Sequence, residues 1–224
     1  MNATVSLVRI GVLGATGPAG SGLAVRLAVN GFDVVLGSRS KYRAMEVRDQ
    51  LLEKWEGHSL IIGAADNEGA SEADVVVIAT PWDAATSTAL EVADQLKGKV
   101  VISMCNALAR VGSEFQPLVP PRGSVAANIQ AAVPKSRVAA AFHHVPAREL
   151  GDISEPVESD VLVCSDHRSA TEVASEIVAA LPALRPLDAG QLSNAAPIEA
   201  FAAVLLQLNI RYKTRAAVKF TGIK

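Results

Sequence analysis

The stretch that most constrains the fold lies near the start of the chain, where an apolar run ending at Leu13 gives way to Gly14, Gly17 and Gly20 at three-residue spacing, and a helical pattern begins at Leu23. A strand, a glycine turn and a helix in that order form the context that a dinucleotide-binding loop requires. Glycine permits positive φ and lets main-chain N–H groups come up against a pyrophosphate, whose charge a helix N-terminus favours. Pro18 stands near the first helical position, where its missing N–H costs nothing. Gly14, Thr16, Gly17, Pro18, Ala19 and Gly20 are therefore candidate cofactor contacts, although an ordinary tight strand-to-helix turn shares the spacing.

Asn30-Gly31 closes the first helix, and a second strand follows over Phe32 to Leu36. In an NAD-specific site an acid at the carboxyl end of this strand accepts hydrogen bonds from the ribose hydroxyls. Here that end reads Gly37-Ser38-Arg39-Ser40-Lys41, followed by Tyr42 and Arg43, and Asp33 lies at the wrong end. Ser38, Arg39, Lys41 and Arg43 suit a 2′-phosphate, so the expected cofactor is NADP. The alternative is a solvated basic helix start, which is electrostatically disfavoured without an anion.

Asp74 to Thr80 reads as a strand buried on both faces, and Thr80-Pro81-Trp82 ends it at the carboxyl edge, beyond which open α/β sheets bind ligands. Trp82 there either flanks a ring or simply packs. A further strand spans Val100 to Cys105, and Arg110 to Gly123 reads as a loop across the mouth of the sheet. A strand over Val138 to Phe142 delivers His143, His144, Pro146 and Ala147 to the same edge. Alternation along a strand would point the two histidines to opposite faces, so at most one, His143, should reach a ligand. After an acidic linker at Gly151 come a strand at Asp160 to Cys164, a helix at Ala170 to Leu181, an edge strand at Leu184 to Asp188, and a last helix that Ser193 and Asn194 can cap. Ile198 to Leu208 is apolar nearly all round, which implies burial within the protein or against a second copy. The expected fold class is α/β: a Rossmann-like, doubly wound, mostly parallel sheet, with residues 1–150 as an NADP-binding domain and 151–224 as a small C-terminal α/β part.

With 224 residues and a net charge of −2, the chain offers no basic field for nucleic acid. No apolar run approaches the ~20 residues of a membrane span. The start lacks a basic region and a long apolar stretch, so a cytoplasmic protein is expected. The two cysteines, Cys105 and Cys164, read as buried reduced thiols, and neither metal-ligand spacing nor a nucleophile triad is present.

Gly14 to Gly20, Gly37-Ser38-Arg39, Thr80-Pro81-Trp82, His143 with Val145-Pro146-Ala147, and Leu184-Arg185-Pro186-Leu187-Asp188-Ala189-Gly190 with Leu192-Ser193-Asn194 together resemble the NADPH-dependent reductases of the deazaflavin coenzyme F420. The last string is the most specific of these. The resemblance implies hydride transfer between C4 of the nicotinamide and C5 of the deazaflavin, with NADP on the Rossmann-like part and F420 as co-substrate in a cleft beside the C-terminal part. His143 is then the expected catalytic residue, and Thr80, Pro81, Trp82, Pro146 and Ala147 are expected ring contacts. His144 and the extreme C-terminus depart from the family pattern. Rim cations for the anionic tail of F420 come from Arg110, Arg122, Lys135, Arg137 and Arg148, with Arg148 first. A reductase of a small imine or carbonyl, and a non-catalytic NADP(H) sensor, are the competing readings. A homodimer built partly on the last helix is expected.

Overall fold

Arg9–Leu13 (β1) lies between two parallel neighbours, Asp33–Ser38 (β2) and Val75–Ile78 (β4), and its four residues from Ile10 on are buried. The structure, a computed structural model, describes residues 8–223, so Met1 to Leu7, where a targeting signal would stand, lie outside the described residues. The main sheet has eight strands in the order β10-β9-β8-β5-β4-β1-β2-β3. Ile62–Asp66 (β3) pairs with β2, Val100–Ser103 (β5) with β4, and Arg137–Ala140 (β8) with β5, all parallel. Ser159–Ser165 (β9) joins β8 antiparallel through only Ala139↔Ser165 and Ala140↔Cys164, and Leu184–Asp188 (β10) pairs parallel with β9 at the edge. Core clusters lie on both faces of the sheet, one with Leu23, Leu27 and Phe32, the other with Ala89, Leu96 and Ile129. This is the expected mostly parallel, Rossmann-like α/β architecture.

The first helix, Pro18–Val29 (α1), starts five residues before the apolar pattern does, because Gly20 and Gly22 carry no side chain to reveal the period. Lys41–Lys54 (α2) follows β2, and a short helix Asn67–Ser71 (α3) sits where the sequence suggests only a connection. Trp82–Glu91 (α4) covers one face together with Val125–Ala132 (α5). The segment expected as a loop after Arg110 is partly an antiparallel hairpin outside the main sheet, Leu108–Val111 (β6) and Glu114–Pro117 (β7). Ala147–Leu150 (α6) is a single turn packed on α1, and Arg168–Ala179 (α7) covers β9 and β10.

The last helix, Ala195–Tyr212 (α8), is not capped as expected. The Asn194 side chain donates to Ala189 O at 2.6 Å instead of holding the helix N-terminus. The helix is fixed from within: buried Glu199 accepts the Val125 and Ala126 N–H groups at 2.8 and 3.1 Å, so its carboxyl caps α5. Burial pushes that carboxyl up to about 7 against those two bonds. Ile198, Ala202 and Leu205 are buried, whereas Phe201, Val204 and Leu208 on the other side are exposed. The apolar periphery of α8 is thus divided between a core face and an open face. No helix among the described residues is long and apolar enough to cross a membrane.

Candidate active site

The glycine turn after β1 is shaped by two separate demands. Gly14 has φ +79°, and its N–H, like that of Ala15, reaches Gly37 O, at 3.2 and 3.3 Å. Gly20 is required by close approach, since a Cβ there would lie 2.6 Å from Gly14 O. Gly17 differs from both: its φ is −90°, and a Cβ would meet nothing nearer than 3.5 Å. The fold does not need glycine there, but a group lying against the first turn of α1 would. Pro18 takes the first helical position as expected, and no side chain caps the helix. Its first N–H groups are left for an anion.

One strand over, β2 ends at Ser38 beside the loop, because Leu13 pairs with Gly37. Arg39 and Lys41 are exposed there, while Arg43 is engaged by Glu46 at 2.7 Å. Asp33 pairs with Arg9 at the amino end, away from the turn. On the other side of β1, Thr80 adjoins the loop so closely that a Cβ on Gly14 would lie 2.7 Å from its N. Pro81 precedes α4, and Trp82 opens it with 36% of its surface exposed.

His143 and His144 do not lie on a strand. β8 ends at Ala140, and Phe142 turns the chain with φ +65°, a region that bulky residues rarely adopt. The turn brings both histidines to the border of one cavity of about 160 Å³, alongside Ala19, Met104, Asn106, Pro146 and Ala147. Both residues border the cavity, and their bonding separates them. His144 Nε2 lies 2.8 Å from Asp160 O. His143 is only 5% exposed, and its ring nitrogens meet no side-chain partner and no well-aligned hydrogen bond, with the main chain of Met104 and Cys105 beside them. Burial, reinforced by His144, pushes the His143 imidazole down to about 3. It is neutral near pH 7, with one ring nitrogen a donor and the other an acceptor.

Asn106, which no sequence motif marks, borders the same cavity. Its Nδ2 donates to His143 O at 2.8 Å, which leaves its buried Oδ1 bare. The only signal for it was a polar residue just past a buried strand at the carboxyl edge. Thr80 Oγ1 and Ser103 Oγ are likewise buried, with only the Cys105 thiol beside them. A buried polar atom without a partner costs about 1–3 kcal/mol, so such a cluster at one sheet edge fits ligand groups that complete it. Cys105 is not available as a nucleophile: burial pushes its thiol up to about 12, with Sγ 3.2 Å from Thr80 O.

The expected rim cations scatter. Arg137 bonds Gly98 O and Ser169 at the amino end of β8, and Lys135 lies next to it. Arg110 lies on the hairpin, Arg122 follows it, and Arg148 lies on α6 outside the cavity lining. Instead Lys213 and Arg215 line a second cleft of about 460 Å³ that shares Pro146, with Arg215 held by Glu149 at 3.0 Å.

Residues 9–107 match the family model described as NADP oxidoreductase coenzyme F420-dependent. The chain is 36% identical over 222 residues to the F420-dependent NADP reductase of Methanocaldococcus jannaschii, covering 97% of each. It is also 36% identical over 225 residues to the protein of the same name from Methanothermobacter thermautotrophicus, covering 98% of this chain and 97% of that one. Among solved structures, a candidate F420-dependent NADP reductase from Arthrobacter sp. FB24 superposes with a TM-score of 0.80 at 22% identity, over 95% of this chain and all of the other.

Proposed function

This chain belongs to the coenzyme F420-dependent NADP oxidoreductases, and from that premise we propose that it transfers a hydride between NADP(H) and F420 at the carboxyl edge of its sheet. The observation that carries the reading is His143, buried, neutral and without a side-chain partner at either nitrogen, bordering the same cavity as Ala19 of the nucleotide loop. When bound, the nicotinamide and the deazaflavin supply the hydride chemistry between C4 and C5. The residues of this chain supply position and dryness, which such a step requires more than a strong acid or base.

In this reading Gly14, Thr16, Gly17, Pro18, Ala19 and Gly20 hold the pyrophosphate against the N-terminus of α1. Ser38, Arg39 and Lys41 hold the 2′-phosphate, with Arg43 after release from Glu46. His143 donates one N–H and accepts at its other nitrogen, and Asn106 Oδ1 accepts an amide N–H. Together they match the donors and acceptor of a carboxamide. Pro146 and Ala147 form one stiff wall, and Thr80, Pro81 and Trp82 form the other. The enclosed volume of about 160 Å³ is below the ~300 Å³ at which ligand pockets begin, so it accounts for the inner end of the cleft only. Residues 1–150 serve as the NADP-binding part, and 151–224 complete the deazaflavin cleft. The protein works in the cytoplasm as a homodimer, with the open face of α8 covered by a second copy.

Mixing the protein with oxidised F420 and NADPH and following deazaflavin absorbance tests the reading. Bleaching is expected, with kcat lowered about 10–100-fold by His143→Asn because small misplacement of reacting atoms is expensive in rate. The loss should be the same at pH 6 and pH 8, since His143 is already neutral at both. NADPH binding without bleaching would overturn the reading.

A further inference from the structure

Three residues of α1, Ala19, Gly22 and Arg26, fall on one face of the helix at spacings of three and four. Ala19 borders the cavity that holds His143. One turn on, Gly22 lies so close to α6 that a Cβ would sit 2.7 Å from Ala147 O and 3.0 Å from Gly151 N. Another turn on, the Arg26 side chain is buried at 4% exposure. It donates from Nε to Leu150 O at 3.1 Å, from Nη1 to Glu155 O at 2.8 Å, and from Nη2 to Glu149 O at 2.6 Å and to Asp152 O. Every acceptor is a main-chain carbonyl, and Arg26 forms no ion pair among the described residues.

These carbonyls all belong to the segment that leaves β8, forms the Pro146–Ala147 wall and returns to β9. A single fork gathers the end of α6 and the turn after it, where the unpaired carbonyls of a helix C-terminus favour a cation. We propose that Arg26, together with Gly22, is a positioning residue for hydride transfer, fixing the Pro146–Ala147 wall at a set distance from the helix that carries the nucleotide loop. The proposal rests on the functional reading above. Arg26 touches neither ring in this account; it acts through α6. A planar guanidinium is the group suited to the task, because a lysine ammonium is a point charge that cannot meet four carbonyls spread over seven residues.

The test compares Arg26→Lys with the wild type in three measurements: kcat for F420 reduction, the NADPH dissociation constant by fluorescence without F420, and hydrogen exchange of the Leu150 and Gly151 amides. The expected result is a kcat lowered about tenfold or more, as for sub-ångström misplacement, with NADPH binding within about twofold and faster exchange at those amides. Guanidinium added to Arg26→Ala should restore part of kcat. Should Arg26→Lys fail to fold, Gly22→Ala keeps the guanidinium and presses on Ala147 O, and the same split is expected. Faster exchange with an unchanged kcat would overturn the proposal and leave Arg26 a structural clamp. So would a parallel loss of kcat and NADPH affinity. Wild-type protein that binds NADPH without reducing F420 would overturn the functional reading itself, and the positioning role with it.

Discussion

The glycine loop at Gly14 to Gly20 and the corner at Leu184 to Asn194 treat their polar groups in opposite ways. In the corner almost every group is satisfied locally. Arg185 forks onto Asp160 at 2.8 and 2.6 Å and also bonds Phe220 O and Ile223 O. Asp188 accepts Gly190 N–H, Asp166 accepts Leu192 N–H, and Asn194 holds Ala189 O. The loop and its neighbours leave theirs open: uncapped N–H groups on α1, Asn106 Oδ1, and a His143 ring with no side-chain partner. The string that identifies the family most specifically in sequence therefore builds a bend in the chain, and the commonplace glycine pattern borders the chemistry. How specific a motif is and how near it lies to the reaction are separate properties.

Substitutions can break or sharpen that contrast. Gly20→Ala forces a Cβ against Gly14 O, and an overpacked backbone contact of this kind costs about 3 kcal/mol. Thermal melts should show that loss of stability, and calorimetric titration a weakened NADPH affinity where Gly14 is displaced. Arg39→Ala should cost about 1.5–3 kcal/mol of NADPH affinity and leave NADH nearly untouched, the scale of a lost charge-assisted contact. Equal losses for both cofactors would remove the 2′-phosphate role.

Glu199 tests the helix that leaves the corner. Its carboxyl, raised from 4.5 to about 7, keeps its proton in the folded state where the unfolded chain has lost it. Its contribution is fully present below about pH 4.5 and lost as pH rises through about 7, on the order of 3 kcal/mol in all. Melting temperatures at pH 5 and pH 7.5 should show most of that loss, and Glu199→Gln should flatten it. The smallest effect belongs to the corner: Gly190→Ala, at φ +84°, should lower stability by about 1 kcal/mol in denaturant titration and leave kinetics unchanged. A changed KM for NADPH in that variant would erase the distinction between the two regions.

The βα alternation, the loop at Gly14 and the cationic end of β2 were legible because each is local: a period, a spacing or a charge on consecutive residues. What escaped depends on long-range geometry. The placement of His143 and His144 escapes the sequence because the strand stops at Ala140 and Phe142 turns the chain, which strand alternation does not foresee. Asn106 meets His143 across 37 residues, and Lys213 and Arg215 reach the neighbourhood of Pro146 only because α8 returns there. The hairpin of β6 and β7 was read as a loop because its Gly and Pro content outweighed four-residue strands. The helix start at Pro18 was hidden by glycines, which have no apolar side chain to mark a face.

The junction of β8 and β9 consists of two residue pairs, whereas the other neighbours in the main sheet share four or five. The core nevertheless runs across this short ladder, since Val161, Val163, Ala174 and Ile177 pack in one cluster with Ile10 and Val12 of β1, and α7 also packs on β5 and β8. The helix that lines the cleft through Ala202, Leu205 and Asn209 follows β10 in the chain. The two sides of the cleft thus differ in sheet pairing and share a core: the seam between them is held by side chains more than by ladder hydrogen bonds.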